Sequence, residues 1–251
     1  MLCTQWHIVK QLSLHLDTSP TVITLALTTY NRFDFVLEAI KDVKDHAAIS
    51  EIVISDDAST DGAYERLVCH FRNIRKVKLF RNERNLDCYA NKAKAVEHAS
   101  CDWVILFDSD NVMPLAYLDL LLQMSPWKRN CAYLPTFASP HFDYRAFEGL
   151  VVSRRNVASN LHRKNFTTAL NTANYFFCRD EYLKAWDNSV NPHTADSIYM
   201  NYRWLAMGNS LVFVRGLTYF HRVHPQSHFK LNNKKTGIFA KWVEDKLKAL
   251  R

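Results

Sequence analysis

The sequence predicts an α/β fold in which a mostly parallel sheet is flanked by helices and a smaller, less regular part follows. Three observations carry that expectation. Short apolar, β-branched runs alternate with stretches whose apolar residues recur every three or four positions, and polar clusters, two of them rich in aspartate, follow the carboxyl ends of three of those runs. The 251 residues, 48% hydrophobic and 23% charged, suffice for one sizeable core and exclude disorder or a fibrous repeat.

The elements follow in order. Thr21 to Leu27 reads as a buried strand ending in Thr28-Thr29-Tyr30-Asn31-Arg32. A helix comes next, with Phe33, Val36, Leu37, Ile40 and Val43 facing inward. Glu51 to Ser55 is a second strand that runs into Asp56-Asp57-Ala58-Ser59-Thr60-Asp61-Gly62. Tyr64, Leu67, Val68 and Phe71 then mark a helix for which Ser59 or Thr60 is the expected N-cap. Val77 to Phe80 is a third strand, Tyr89 to Ala99 a third helix, and Trp103 to Phe107 a fourth strand leading into Asp108-Ser109-Asp110. A helix after Pro114 closes this half near Ser125. Beyond it lie aromatics from Trp127 to Phe147, a strand at Tyr175–Cys178, a helix near Asp196–Met207, a strand at Leu211–Arg215 and an amphipathic helix from Ile238 to Leu250. No repeat or flexible linker separates the halves, so residues 1–251 read as one domain: a first half over 20–125, a second over 126–228 and a basic helix over 229–251.

Composition excludes several function classes. Five scattered glycines form no G-x-G pair, which removes the dinucleotide fingerprint and the Walker A loop. Of the net charge of +7, residues 221–251 carry most, so no basic face spreads over the fold and no nucleic-acid partner is expected. Six cysteines without a C-x-x-C pattern read as reduced thiols and a cytoplasmic setting. Charged and histidine residues within Met1–Pro20 break up any signal-peptide core or membrane span.

Asp108 and Asp110 form the sharpest local signal. Side chains at i and i+2 of an extended segment point the same way, about 6–7 Å apart, so such a pair suits a divalent cation, Mn²⁺ or Mg²⁺, that keeps positions open for phosphates. A strand followed by Asp108-Ser109-Asp110-Asn111-Val112 also resembles the first motif of haloacid-dehalogenase-like phosphohydrolases, in which the first aspartate is a nucleophile. That family needs a later lysine and acidic pair, and no convincing G-D-x-x-x-D follows here.

Taken together in order, Thr28 to Arg32, Ser55 to Gly62, Asn85 to Ala93 and Asp108 to Asp110 resemble the inverting nucleotide-diphospho-sugar transferases of glycosyltransferase family 2. The resemblance covers about residues 20–125. It implies a GT-A fold, Rossmann-like, with a smaller acceptor-side subregion, and transfer of a sugar from a nucleoside diphosphate, UDP in the first place, to a hydroxyl of a glycan, lipid-linked or protein acceptor. Carried over by position, Thr28, Tyr30 and Arg32 hold the nucleotide, Asp57 accepts a hydrogen from the base, Asp108 lies near the ribose and sugar, and Asp110 binds the metal. Where the family often reads N-x-G-x-x-x-A-R-N, Asp87 replaces the glycine, Lys92 keeps a cation near the diphosphate and Ala93 loses the last amide. Asp196, ahead of Arg203 and Gly208, is the implied general base, with Asp180, Glu181 and Asp187 behind it. From the segment His221-Arg222-Val223-His224-Pro225-Gln226-Ser227-His228, whose spacing supports zinc poorly, His224 is implied at the metal or diphosphate and His221 less so. A transferase-like fold kept only to bind carbohydrate is the remaining alternative.

The last helix has two readings. Ile238, Phe239, Trp242, Val243, Leu247 and Leu250 recur at helical spacing among Lys230, Lys234, Lys235, Lys241, Lys246, Lys248 and Arg251. Such a helix either packs its stripe on the body or lies on an anionic membrane as a peripheral contact.

Overall fold

In the computed structural model of the protein, the backbone is described for residues 22–224 and 228–250, and the side chains for all of these except 228–235. Residues 1–21 with Cys3, residues 225–227, the side chains of His228, Lys230, Lys234 and Lys235, and Arg251 therefore lie outside the described residues.

The first half alternates as its periodicity demands: β1 (Ile23–Thr29), α1 (Phe33–Ile40), β2 (Ile49–Asp56), α2 (Ala63–Phe71), β3 (Val77–Arg81), α3 (Asp87–Glu97), β4 (Trp103–Asp108) and α4 (Leu115–Gln123). The second half adds β5 (Cys131–Leu134), β6 (Phe137–Ser139), β7 (Phe142–Asp143), β8 (Val151–Val152), α5 (Val157–Asn160), α6 (Phe166–Leu170), β9 (Tyr175–Cys178), α7 (Arg179–Ala185), α8 (Asp196–Ala206), β10 (Ser210–Phe213), β11 (Thr218–Phe220) and α9 (His228–Lys248). Eight strands form one sheet in the order β3-β2-β1-β4-β9-β5-β10-β8, continuous through both halves, and β11, β6 and β7 form a small second sheet. In the large sheet every strand but β9 and β8 runs the same way.

Alternation along the strands sorts the core onto two faces. Leu25, Leu27, Ile105, Phe107 and Phe176 pack with α1, α2 and α4, while Ala26, Val104, Leu106, Tyr175 and Phe177 pack with α3, α7, α8 and α9. Both faces of the central strands are thus covered. The strands β1, β2 and β4 consequently carry the continuous apolar runs seen in sequence.

Several expectations change in detail. The N-cap of α2 is Gly62, at φ +79°, and neither Ser59 nor Thr60 caps the helix. Ser59 instead donates its hydroxyl to Asp56 and accepts the Asn31 N–H at 2.8 Å, while the Thr60 N–H donates to Asn31 Oδ1 at 2.8 Å. The segment after β2 is therefore spent on tying itself to the segment after β1. Asp61 does belong to the turn, since its Oδ1 accepts the Ala63 N–H at 2.9 Å. The strand expected over Leu211–Arg215 stops at Phe213, and the last helix begins at His228, ten residues ahead of Ile238.

The stripe of α9 packs on the body. Val243 and Leu247 are fully buried, and Phe239, Ala240 and Leu250 lean on the same core. Ile238 and Trp242 remain exposed. Lys241 and Lys248 both pair with Glu244 and Asp245, which leaves little unbalanced charge along the described turns for an anionic surface. No helix among the described residues is long and apolar enough to cross a membrane. Leu247→Ala is accordingly expected to destabilise the protein by about 2–5 kcal/mol, as for other buried leucines. Chemical denaturation reads this directly; a loss under about 0.5 kcal/mol, the range of a surface substitution, would show that α9 does not hold the fold.

Candidate active site

The carboxyl ends of β1 and β2 and the segment from β3 into α3 enclose a cleft of about 730 Å³ lined by Thr28, Thr29, Tyr30, Asn31, Arg32, Asp57, Asp61, Asn85, Asp87, Cys88 and Asn91. This is where an open α/β sheet offers its strand ends to a ligand. Thr28 stands in register with Asp108 on the neighbouring strand, so the cleft floor leads to the aspartate pair.

Asp57 lies on the cleft wall, almost wholly buried. Its Oδ1 accepts the Leu86 N–H at 2.8 Å and Asn82 Nδ2 at 2.9 Å, which fixes the carboxylate. Burial pushes its pKa above the usual carboxylate range against the pull of those donors. Asn91 reinforces the wall by accepting the Ser55 hydroxyl at 2.7 Å and Asn82 Nδ2 at 3.0 Å.

The two aspartates after β4 part company. Asp110 Oδ2 meets Arg32 Nη1 at 2.9 Å and His224 Nε2 at 3.1 Å. Burial opposes ionisation of Asp110, but the hydrogen bond from His224 and the Arg32 guanidinium hold its pKa below the usual range. Asp108 Oδ1 instead meets Lys92 Nζ at 3.1 Å, and its backbone N–H donates to Asn174 Oδ1 at 2.6 Å. Burial, with Asp110 and Asp196 nearby, pushes Asp108 upward against the pull of Lys92. The two carboxyls are thus pushed in opposite directions by different partners.

Asp196 opens α8 in the second half and reaches the same place. Its Oδ2 accepts Lys92 Nζ at 2.8 Å. Lys92, expected at the diphosphate, is thus buried between Asp108 and Asp196. Burial disfavours its charge, yet the two carboxylates outweigh it and hold its pKa well above that of a free lysine. Of the other acids named for the base, Asp180 meets Arg129 and Arg179, Glu181 pairs with Lys184, and Asp187 accepts the Tyr199 hydroxyl at 2.8 Å.

Backbone strain gathers here. Asn31, Ala58, Asp87, Asn174 and His193 have positive φ without being glycine, and such outliers persist where the surroundings over-determine them, often at functional sites. Asp87 is the instructive one. At φ +71° it occupies a left-handed position that favours glycine, which accounts for the glycine of the resembling motif. In exchange its carboxylate accepts the Cys88 N–H at 2.8 Å, takes Asn191 Nδ2 at 3.2 Å and lies 3.4 Å from His193 Nδ1. The donor-side loop is thereby fastened to the segment leading into α8.

The remaining expectations are met unevenly. Tyr30 is exposed at the cleft mouth. His221 packs edge-on against His141 and Phe142, with its Nδ1 3.0 Å from that of His141, and lies near enough to Asp110 to help lower its pKa. Of the aromatic run, Tyr133, Tyr144 and Phe147 are core, and the guanidinium of Arg145 covers Phe137. Asn82, Asn174 and His193 escaped the sequence reading; only the position of Asn82 just after a strand end pointed to it. The described cysteines Cys69, Cys88, Cys101, Cys131 and Cys178 are all unpaired.

Among the described residues no group of three or more histidine, cysteine or acidic side chains gathers to hold a metal by itself. The pair of Asp110 and His224 nevertheless fits a cation of the Mg²⁺ type. Adjacent ligands of an octahedral ion with bonds of about 2.0–2.1 Å stand about 3 Å apart, and such ions take few protein ligands and leave the rest to phosphates and water. Asp110 and His224 bring one carboxylate and one ring nitrogen to the same point, and a cation would take the place of the hydrogen bond between them.

Sheet order and cleft are those of a GT-A type fold, and comparison with solved structures agrees on the fold. S. aureus TarS matches with a TM-score of 0.62 at 14% identity over 90% of this chain and 70% of that one. Its complex with UDP-GlcNAc gives 0.63 at 16% over 83% and 60%. The mannosyltransferase PcManGT from Pyrobaculum calidifontis, in complex with GDP-Man and Mn²⁺, gives 0.61 at 15% over 93% and 74%. The sequence matches the profile of Glycosyl transferase family 2 over residues 24–186, and the chain belongs to that family. The glycosyltransferase SunS of Bacillus subtilis (strain 168) and that of Bacillus phage SPbeta are each 30% identical over 95 residues, 38% of this chain. The match spans only 21% of the length of those relatives. Family membership sets aside the phosphohydrolase reading of Asp108.

Proposed function

We propose that the chain transfers a sugar from a UDP-linked donor to a hydroxyl acceptor with inversion, assisted by Mn²⁺ or Mg²⁺. In this reading residues 1–251 act as one unit, with the donor held by the half up to about residue 125 and the acceptor by residues 126–228. The observation that carries it is the meeting of Asp57, Asp108, Asp110 and Asp196 at one end of the sheet, Asp57 and Asp110 each fixed by partners of their own and Asp108 and Asp196 by a shared Lys92. Structures titled as complexes with UDP-GlcNAc, with UDP, and with UDP, GalNAc and Mn²⁺ share the fold and support the choice of donor and ion.

Each residue then has a task. Asp57 accepts the N–H of the base, since a carboxylate offers acceptors only and retains unused lone pairs beyond the two bonds above. Tyr30 and Thr28 flank the nucleoside, and the guanidinium of Arg32 suits phosphate oxygens. A divalent cation held by Asp110 and His224 would neutralise the charge that grows on the departing diphosphate. Asp108 faces the ribose and sugar. Asp196 takes the proton of the acceptor hydroxyl as its oxygen attacks the anomeric carbon from the side opposite UDP. The proton goes to Asp196, the carbon–oxygen bond to the diphosphate breaks, and its electron pair leaves with UDP.

Replacing Asp57 tests the donor. A hydrogen bond to a charged group contributes about 1.5–3 kcal/mol, so Asp57→Ala is expected to weaken UDP about 10- to 100-fold in calorimetry. UDP affinity unchanged by the substitution would place the base elsewhere.

A further inference from the structure

Lys92 lies on the third helix, in the donor half, and its side chain is 8% exposed. The ammonium spans two parts of the chain that sequence separates by about a hundred residues: Asp108 Oδ1 at 3.1 Å and Asp196 Oδ2 at 2.8 Å. Asp196 is as deeply placed, at 9%. An ammonium is a compact charge with three donors and can serve two separate carboxylates at once. Lys92 is not among the residues that line the cleft, whereas Arg32 is.

We propose that Lys92 is a positioning residue which ties the donor-side Asp108 to the acceptor-side Asp196 and so holds the base in place, instead of binding the diphosphate. This rests on the UDP-sugar transferase reading above. Without the ammonium, two buried carboxylates face each other with no shared cation. Neither side chain is then held where α3 and α8 meet, and Asp196 is no longer aimed at the acceptor hydroxyl. A role through Asp196 and a role on the diphosphate then differ in what they change: turnover in the first case, nucleotide affinity in the second.

The test measures UDP affinity by calorimetry with Mn²⁺, and UDP release from a panel of UDP-sugars with water as acceptor, in the wild type, Lys92→Met, Lys92→Arg, Asp196→Asn and the Lys92→Met/Asp196→Asn pair. The expected result is turnover lowered about 100-fold in Lys92→Met with UDP affinity within threefold of the wild type, an intermediate turnover in Lys92→Arg, and no further loss when Asp196→Asn is added, as for two residues acting as one unit. Should Lys92→Met not fold, Lys92→Arg keeps the charge and reads the same split between turnover and affinity. UDP affinity falling tenfold or more with turnover kept would put Lys92 on the diphosphate and overturn the proposal. So would wild-type turnover in Lys92→Met, or losses that multiply independently in the pair. A wild type that binds no UDP refutes the underlying transferase reading, and this proposal with it.

Discussion

Asp196→Asn is expected to lower the rate of sugar transfer by about 10²–10⁴, the range that a positioned general base supplies, with UDP affinity kept within about threefold. The substitution keeps shape and one acceptor oxygen for the Lys92 ammonium, which Asp196 meets at 2.8 Å, but removes basicity. The donor subsite is fixed independently, through Leu86 and Asn82 on Asp57 and through Arg32 and His224 on Asp110. Loss of turnover without loss of binding is therefore the signature to look for in steady-state kinetics beside calorimetry. Transfer at the wild-type rate would move the role to another acid. Asp180, Glu181 and Asp187 are poorer placed, being tied to Arg129, Lys184 and Tyr199 respectively.

The second large effect concerns the cation. UDP should bind the wild type on the order of 100-fold more tightly with Mn²⁺ than with a chelator, because a divalent ion stabilises phosphate charge by several kcal/mol. Asp110→Ala should abolish that difference. Binding in chelator should survive in the variant, since the substitution frees the Arg32 guanidinium and the His224 ring from the same carboxylate oxygen. His224→Ala should act in the same direction and less strongly. Equal UDP affinity of the wild type in Mn²⁺ and in chelator would remove the metal from the account.

Much of the first half was legible in the sequence because burial on both faces of a sheet leaves a continuous apolar run. Ile23–Thr29, Ile49–Asp56 and Trp103–Asp108 are such strands, and the last two end in aspartates at their carboxyl ends. Tyr175–Cys178 stood out for the same reason. The rest of the second half did not: β7 and β8 have two residues each, too few to show a period of two. Side-chain placement was less legible than strand order. Lys92 carries the same formula in sequence whether it points to a diphosphate or to Asp196, and only the packing of α3 against α8 decides. The N-cap of α2 failed because Ser59 and Thr60 bind the Asn31 segment, a contact 28 or 29 residues away that no local pattern encodes. Asp87 is the reverse case: its departure from glycine was visible, and its positive φ and its reach to Asn191 and His193 give that departure a structural meaning.

The measurement that bears most directly on the transferase reading is proton NMR of the purified chain with Mn²⁺ and UDP-α-linked sugars, UDP-N-acetylglucosamine among them, with water as the slow acceptor. Release of UDP together with a free sugar that appears first as the β anomer, before mutarotation, is the expected result. Appearance of the α anomer first, release of inorganic phosphate, or no cleavage of any donor in the panel would contradict it.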